Sequence, residues 1–115
     1  MPPRTDKEYG DTSYTSVPPE LLDAARELAR KRKVYPRDVF TDAILDLIRR
    51  LDAGKTTKWP QAKPGKAGRP YHTRLEVEVL EKIRNASERQ EVKGNIFFIA
   101  ALRDYLNRNG YQFEI

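Results

Sequence analysis

The apolar positions of this chain fall into one pattern that occurs twice. Residues 12–17, Thr-Ser-Tyr-Thr-Ser-Val, are β-branched and aromatic and predict a short strand. Pro18-Pro19 ends it and suits the first turn of a helix, with Glu20 following. Up to Lys33 the apolar residues are Leu21, Leu22, Ala25, Leu28 and Ala29, the spacing of a helix with one buried face. Val34-Tyr35-Pro36 interrupts that pattern. Pro36 then opens a second predicted helix on Val39, Phe40, Ala43, Ile44, Leu47, Ile48 and Leu51, with Gly54 as the stop. Further on, Tyr71-His72-Thr73-Arg74-Leu75 again reads as a strand. A helix from about Val77 to Gln90 follows on Val79, Leu80, Ile83 and Ala86. Gly94-Asn95 opens a last helix burying Phe97, Phe98, Ala101, Leu102, Tyr105 and Leu106, and Asn109-Gly110 ends it.

The two halves superimpose without a gap when the chain is shifted by 58 positions, Thr15–Leu51 on Thr73–Asn109. Twelve apolar residues then fall on apolar residues, from Val17 on Leu75 through Phe40 on Phe98 to Ile48 on Leu106. Polar positions mostly differ, although Glu20/Glu78, Arg26/Arg84 and Asp46/Asp104 agree. An offset that keeps apolar positions and relaxes polar ones indicates two copies of one folding unit. Each copy is too short to bury a good core alone, so the two are expected to fold against each other as an internal pseudo-dimer.

Between the copies, residues 52–69 are rich in Gly, Pro and Lys and read as a linker. Fully extended it would reach roughly 60 Å, ample to cross a small domain. Trp59, its one large apolar residue, is expected to pin it to the body. Residues 1–11 read as a polar disordered tail. The predicted organisation is thus a tail at 1–11, repeat one at 12–51, a basic linker at 52–69 and repeat two at 70–110.

Charge sharpens the reading. The net charge is +5 over 115 residues, and its distribution is uneven. Residues 52–69 hold five basic residues against one acid, whereas the repeats are closer to balance, eight against six and seven against six. A basic excess suits a polyanionic partner, nucleic acid first. The cluster Arg30-Lys31-Arg32-Lys33 also has a plain reading as a solvated helix end that complements the dipole. The chain has no cysteine and a single histidine, so neither disulfides nor a Cys- or His-based metal site is expected, and no cofactor. There is no membrane-length apolar run, no secretory pattern at the N-terminus, no nucleophile–base pair and no phosphate loop. A cytoplasmic, bacterial, non-enzymatic protein is the expectation.

Strand-helix-helix in about forty residues, with Val17-Pro18-Pro19-Glu20-Leu21-Leu22 leading into the first helix and Val34-Tyr35-Pro36-Arg37-Asp38-Val39-Phe40 opening the second, resembles the ribbon-helix-helix family of DNA-binding proteins, the MetJ/Arc type. Both repeats are covered. Repeat two departs from that pattern at Glu76, Gly94 and Ile96, where repeat one has Pro18, Pro36 and Asp38. The resemblance implies a mainly α fold with a short two-stranded antiparallel β-ribbon above four helices. In tandem on one chain, the arrangement also resembles the double ribbon-helix-helix type of Ti-plasmid T-DNA transfer. It implies double-stranded DNA as partner, other DNA-processing proteins beside it, and a monomer in which the ribbon forms within one chain.

A two-stranded ribbon fits the major groove, and side chains alternate faces along a strand. With Val17 and Leu75 facing the helices, Thr12, Tyr14, Ser16, His72 and Arg74 are expected to face outward and contact bases. Arg74 is the strongest candidate, because a guanidinium grips the O6/N7 edge of guanine. Its competing role is an ion pair with Glu76 or a helix acid, and Tyr14 has one in covering the sheet edge. Phosphates are expected at the starts of the second helices, at Tyr35, Pro36 and Arg37 and at Lys93, Gly94 and Asn95, where backbone N–H groups point outward. Lys55, Lys58, Lys63 and Lys66 would add salt-dependent affinity or simply keep the linker soluble. The Phe97-Phe98 pair is expected in the core.

Three roles follow from DNA binding: a transcriptional repressor, the DNA-binding part of an antitoxin, or an accessory factor in DNA transfer of the T-DNA or conjugative type. The resemblance favours the last. Only Gly110–Ile115 follows the last helix, which speaks against an antitoxin. The competing class is a protein-interaction module that docks through its helices and leaves the ribbon unused.

Overall fold

The computed structural model describes residues 8–61 and 70–114. Six elements occur in the order β1 (Tyr9–Tyr14), α1 (Pro19–Arg32), α2 (Pro36–Asp52), β2 (Tyr71–Glu76), α3 (Val77–Gln90) and α4 (Gly94–Arg108). The two strands form one antiparallel sheet in which Tyr9 lies opposite Glu76 and Tyr14 opposite Tyr71. The fold is therefore mainly helical with a two-stranded ribbon. No helix among the described residues is long and apolar enough to cross a membrane.

The helices lie where the apolar spacing puts them, and their boundaries have local causes. Pro19 and Pro36 occupy first positions, where a missing N–H costs no hydrogen bond. The Asp38 carboxylate accepts the Tyr35 backbone N–H at 2.9 Å and closes the start of α2. Both first helices of the repeats stop at a residue in the left-handed region, Lys33 at φ 59° and Glu91 at φ 57°. After each, the next backbone N–H returns to a carbonyl five residues back, Val34 to Ala29 and Val92 to Ser87, both at 3.0 Å. These paired residues stand 58 apart, and so do Phe40 and Phe98.

The core joins the ribbon to α2 and α4 through aromatic rings. Phe40 and Phe98, both fully buried, meet edge to face with centroids 5.3 Å apart. Tyr14 stacks on Phe98 at 4.4 Å, and Tyr71 meets Phe40 edge to face at 5.7 Å. A two-stranded ribbon is marginal alone, and these contacts hold it on the helices. Leu21, Val39, Ile44, Leu75, Leu102 and Leu106 complete the buried centre.

The first strand departs from expectation. It occupies residues 9–14, not 12–17, so residues 9–11 belong to the ribbon and not to a disordered tail. Thr15–Pro18 becomes a connection with Ser16 in the left-handed region at φ 61°. The reason is packing. Placing Tyr14 under the ribbon buries a large ring against Phe98, whereas the predicted strand would have turned Ser13, Thr15 and Val17 to the helices. Gly10 lets the strand approach α3 closely: a Cβ there would come within 2.9 Å of Leu80 Cδ1, so that side chain would have to move. Residues 1–7 of the predicted tail lie outside the described residues.

The first part of the linker is fixed to α4. Trp59 packs on Phe97 with centroids 5.7 Å apart. Thr57 donates to Asp104 at 2.5 Å and accepts from buried Arg103 at 2.8 Å, while Arg103 Nε donates to Asp104 at 2.9 Å. A threonine hydroxyl thus completes a partly buried charge pair, which carried no signal in the sequence pattern.

Candidate nucleic-acid interface

Pairing fixes which side chains share a face of the ribbon, since residues directly opposite point the same way. Gly10, Thr12 and Tyr14 of β1 face the helices together with Tyr71, Thr73 and Leu75 of β2. Asp11 and Ser13 point outward beside Arg74 and His72, their respective partners in the register, and all four are exposed. Arg74 Nε lies 3.3 Å from Asp11 Oδ1, with the side chains 64% and 90% exposed. The centre of the outward surface is thus a small field of one guanidinium, one carboxylate, one hydroxyl and one imidazole, with Tyr9 and Glu76 on the same face at one end. The ion-pair partner of Arg74 is the cross-strand Asp11, which lies in the strand and not in a tail.

Three of the five expected base-contacting residues are therefore corrected. Tyr14 is 7% exposed and belongs to the core. Its burial raises the phenol above its ordinary value of 10.0, a shift that a hydrogen bond involving Thr12 partly opposes. Thr12 is half-buried on the same inner face, and Ser16 lies beyond the strand. The register pairs Tyr14 with Tyr71 and Thr12 with Thr73, which puts the even-numbered residues of β1 inside, and the strand stops before Ser16. His72 and Arg74 keep the outward orientation, because β2 begins where predicted.

The ribbon is flanked at both ends by the start of a long helix. At the Tyr9 end, the Arg37 guanidinium sits between two rings, 4.6 Å from the Tyr9 centroid and 4.9 Å from that of Tyr35. Tyr35 is exposed over two-thirds of its surface. At the Tyr14 end, Asn95 of α4 donates through Nδ2 to the Thr15 carbonyl at 3.1 Å. Gly94 lies there too, and a Cβ on it would sit 3.9 Å from the Tyr14 ring. β1 is six residues long, which spans roughly 17 Å between the two ends of the ribbon. Each presents backbone N–H groups and the positive end of a helix.

Among the candidate phosphate contacts, Lys93 is exposed and Asn95 is engaged in holding the strand exit. Lys55 and Lys58 are exposed in the linker, and Lys58 borders an open concavity with Arg50, Arg103 and Arg108. Lys63 and Lys66 lie outside the described residues. The cluster at the end of α1 is more tied than a free helix end: Arg32 donates to the Tyr105 hydroxyl at 2.5 Å and to Asn109 Oδ1 at 2.6 Å. Among the described residues, no group of three His, Asp or Glu side chains is arranged to hold a metal ion.

Asp11 and Ser13 are the outward residues that sequence reasoning missed. Tyr-Gly-Asp-Thr-Ser-Tyr contains Gly and Asp, both depleted in strands. The available signal was the pair of tyrosines bracketing the segment, one of which the core needs. No protein-family model matches the chain, and no curated protein or solved structure matches it significantly.

Proposed function

We propose that this chain is a sequence-specific double-stranded DNA-binding protein that inserts its ribbon in the major groove. In this reading the two strand-helix-helix units are tandem ribbon-helix-helix repeats. They form one intramolecular pseudo-dimer, and the protein acts as a monomer. Supporting this, Phe40 touches its counterpart Phe98, as residues near a two-fold axis do. The left-handed turns at Lys33 and Glu91, 58 residues apart, carry the same hydrogen bonds.

One observation carries the functional reading: an outward polar ribbon face with Arg74 and His72, bracketed at both ends by the N-termini of α2 and α4. The ribbon would read base edges while the helix ends and Arg37 hold phosphates on either side. Because β1 and β2 present different residues, the site read should be asymmetric. The linker lysines add affinity that falls with salt.

Within DNA binding, the tandem resemblance favours an accessory factor in DNA processing or transfer over a transcriptional repressor. The test is selection from a pool of random double-stranded DNA at two salt concentrations, with wild type and Arg74→Ala. An enriched asymmetric motif that the variant loses supports ribbon readout. Equal retention of both proteins without enrichment means backbone binding alone. Absence of binding at low salt ends the DNA reading and favours a protein-interaction module. A motif found at transfer origins or borders favours the accessory role, and one found at promoters favours repression.

A further inference from the structure

We propose that Asp11 and Arg74 act as one unit that reads a single G·C base pair, Arg74 on guanine and Asp11 on cytosine. This rests on the DNA-binding reading and adds a specificity determinant to it. The two residues are directly opposite in the ribbon register and point away from the helices. Their ion pair is exposed on both sides, at 64% and 90%, and a pair of that kind contributes little to folding.

A carboxylate on a face turned toward a polyanion is repelled unless it finds a donor. In the major groove the donors are the amino groups of cytosine and adenine. Guanine, opposite cytosine, offers two acceptors that fit the fork of a guanidinium, so one G·C pair satisfies both residues. The contact to Asp11 is through Arg74 Nε, so the terminal nitrogens of the guanidinium would be the ones to meet the base. Asp11 would thus hold the fork in place while accepting from the cytosine amino group. With adenine facing Arg74, an amino donor meets the guanidinium and thymine O4 meets the carboxylate; the reverse orientation satisfies Asp11 but gives the Arg74 fork one acceptor, O4, in place of the two that guanine offers. Because the residues come from different strands of one chain, the pair is read in one orientation.

The experiment is the same DNA selection with the full chain as wild type, Asp11→Asn, Asp11→Ala and Arg74→Ala, with thermal unfolding as a check that these exposed changes leave the fold intact. The expected wild-type motif contains an invariant G·C position. Arg74→Ala should lose it. Asp11→Asn should admit adenine opposite the read base and bind the wild-type site about tenfold more weakly. Asp11→Ala should lose the same discrimination while holding unrelated DNA more tightly. If both Asp11 variants keep the wild-type motif and gain affinity uniformly, Asp11 merely neutralises Arg74 and the proposal is overturned. A wild-type motif without a G·C position sensitive to Arg74→Ala also overturns it and leaves DNA binding standing. A wild type that enriches no sequence removes the underlying reading and this proposal with it.

Discussion

The two strands reach their helices differently. β2 ends at Glu76 and α3 begins at Val77, with no residue between. β1 ends at Tyr14, and four residues, Thr15–Pro18, separate it from α1. Helix starts are spaced 58 apart in both cases, Pro19 with Val77 and Pro36 with Gly94, whereas strand starts, Tyr9 and Tyr71, are 62 apart. The helices thus keep one periodicity through the chain and the strands do not. A helix closes its own hydrogen bonds, so its position follows local sequence. A strand depends on its partner, and it slides until the ladder and the face beneath both fit. The register, which sets Tyr14 opposite Tyr71 on the inner face, decides which residues of β1 point outward and brings Asp11 beside Arg74.

The largest test of this difference is Tyr14→Ala. If the slide exists to bury Tyr14 on Phe98, deletion of the ring should cost about 3 kcal/mol in urea unfolding, the range for large buried aromatics. A loss below about 0.5 kcal/mol, ordinary for a surface position, would return Tyr14 to the outer face. Next is Arg74→Ala on the outward side of β2. It should weaken binding to the selected site about 10–100-fold, the cost of a good bidentate base contact, with little change in thermal stability. Gel-shift titration beside a melting curve separates the two readouts.

A smaller effect is expected at the connection that only β1 has. Ser16 holds φ at 61°, where an L-residue carries steric strain and glycine does not. Ser16→Gly should stabilise by roughly 0.5 kcal/mol once the unfolded-state entropy of glycine is deducted, read as a rise in melting temperature. No gain would mean that the connection does not hold this turn.

The smallest effect is confined to alkaline solution. Burial raises the Tyr14 phenol above 10.0, so the folded chain holds that proton more tightly than the unfolded chain does. The resulting stabilisation is complete below the unfolded value and is lost as the pH rises through the folded one. Stability should therefore decline above about pH 10, and less steeply in Tyr14→Phe. Urea titrations on either side of that pH check the sign.

Much of this was legible in the residues themselves. Val39, Phe40, Ala43, Ile44 and Leu47 are buried in α2, and Phe97, Phe98, Ala101 and Leu102 are buried in α4, as their spacing required. In β2, Leu75 marked the inner face and so gave His72 and Arg74 their outward orientation. Val17, the counterpart of Leu75 at 58 residues earlier in the chain, lies in the connection, and Tyr14 is the ring that β1 buries. Thr57 at the Arg103–Asp104 pair and Arg37 over Tyr9 had no local signal, since each contact joins distant segments.

The sequence by itself determined four amphipathic helices, their boundaries, the doubling at 58 residues and the basic balance of the linker. Those features depend on interactions within a few residues of chain. The tertiary structure decided the register of the ribbon, the side chains on its outer face and the capture of the linker by α4. Those depend on which distant surface a segment meets, and for a six-residue strand a buried aromatic ring outweighs local strand preference.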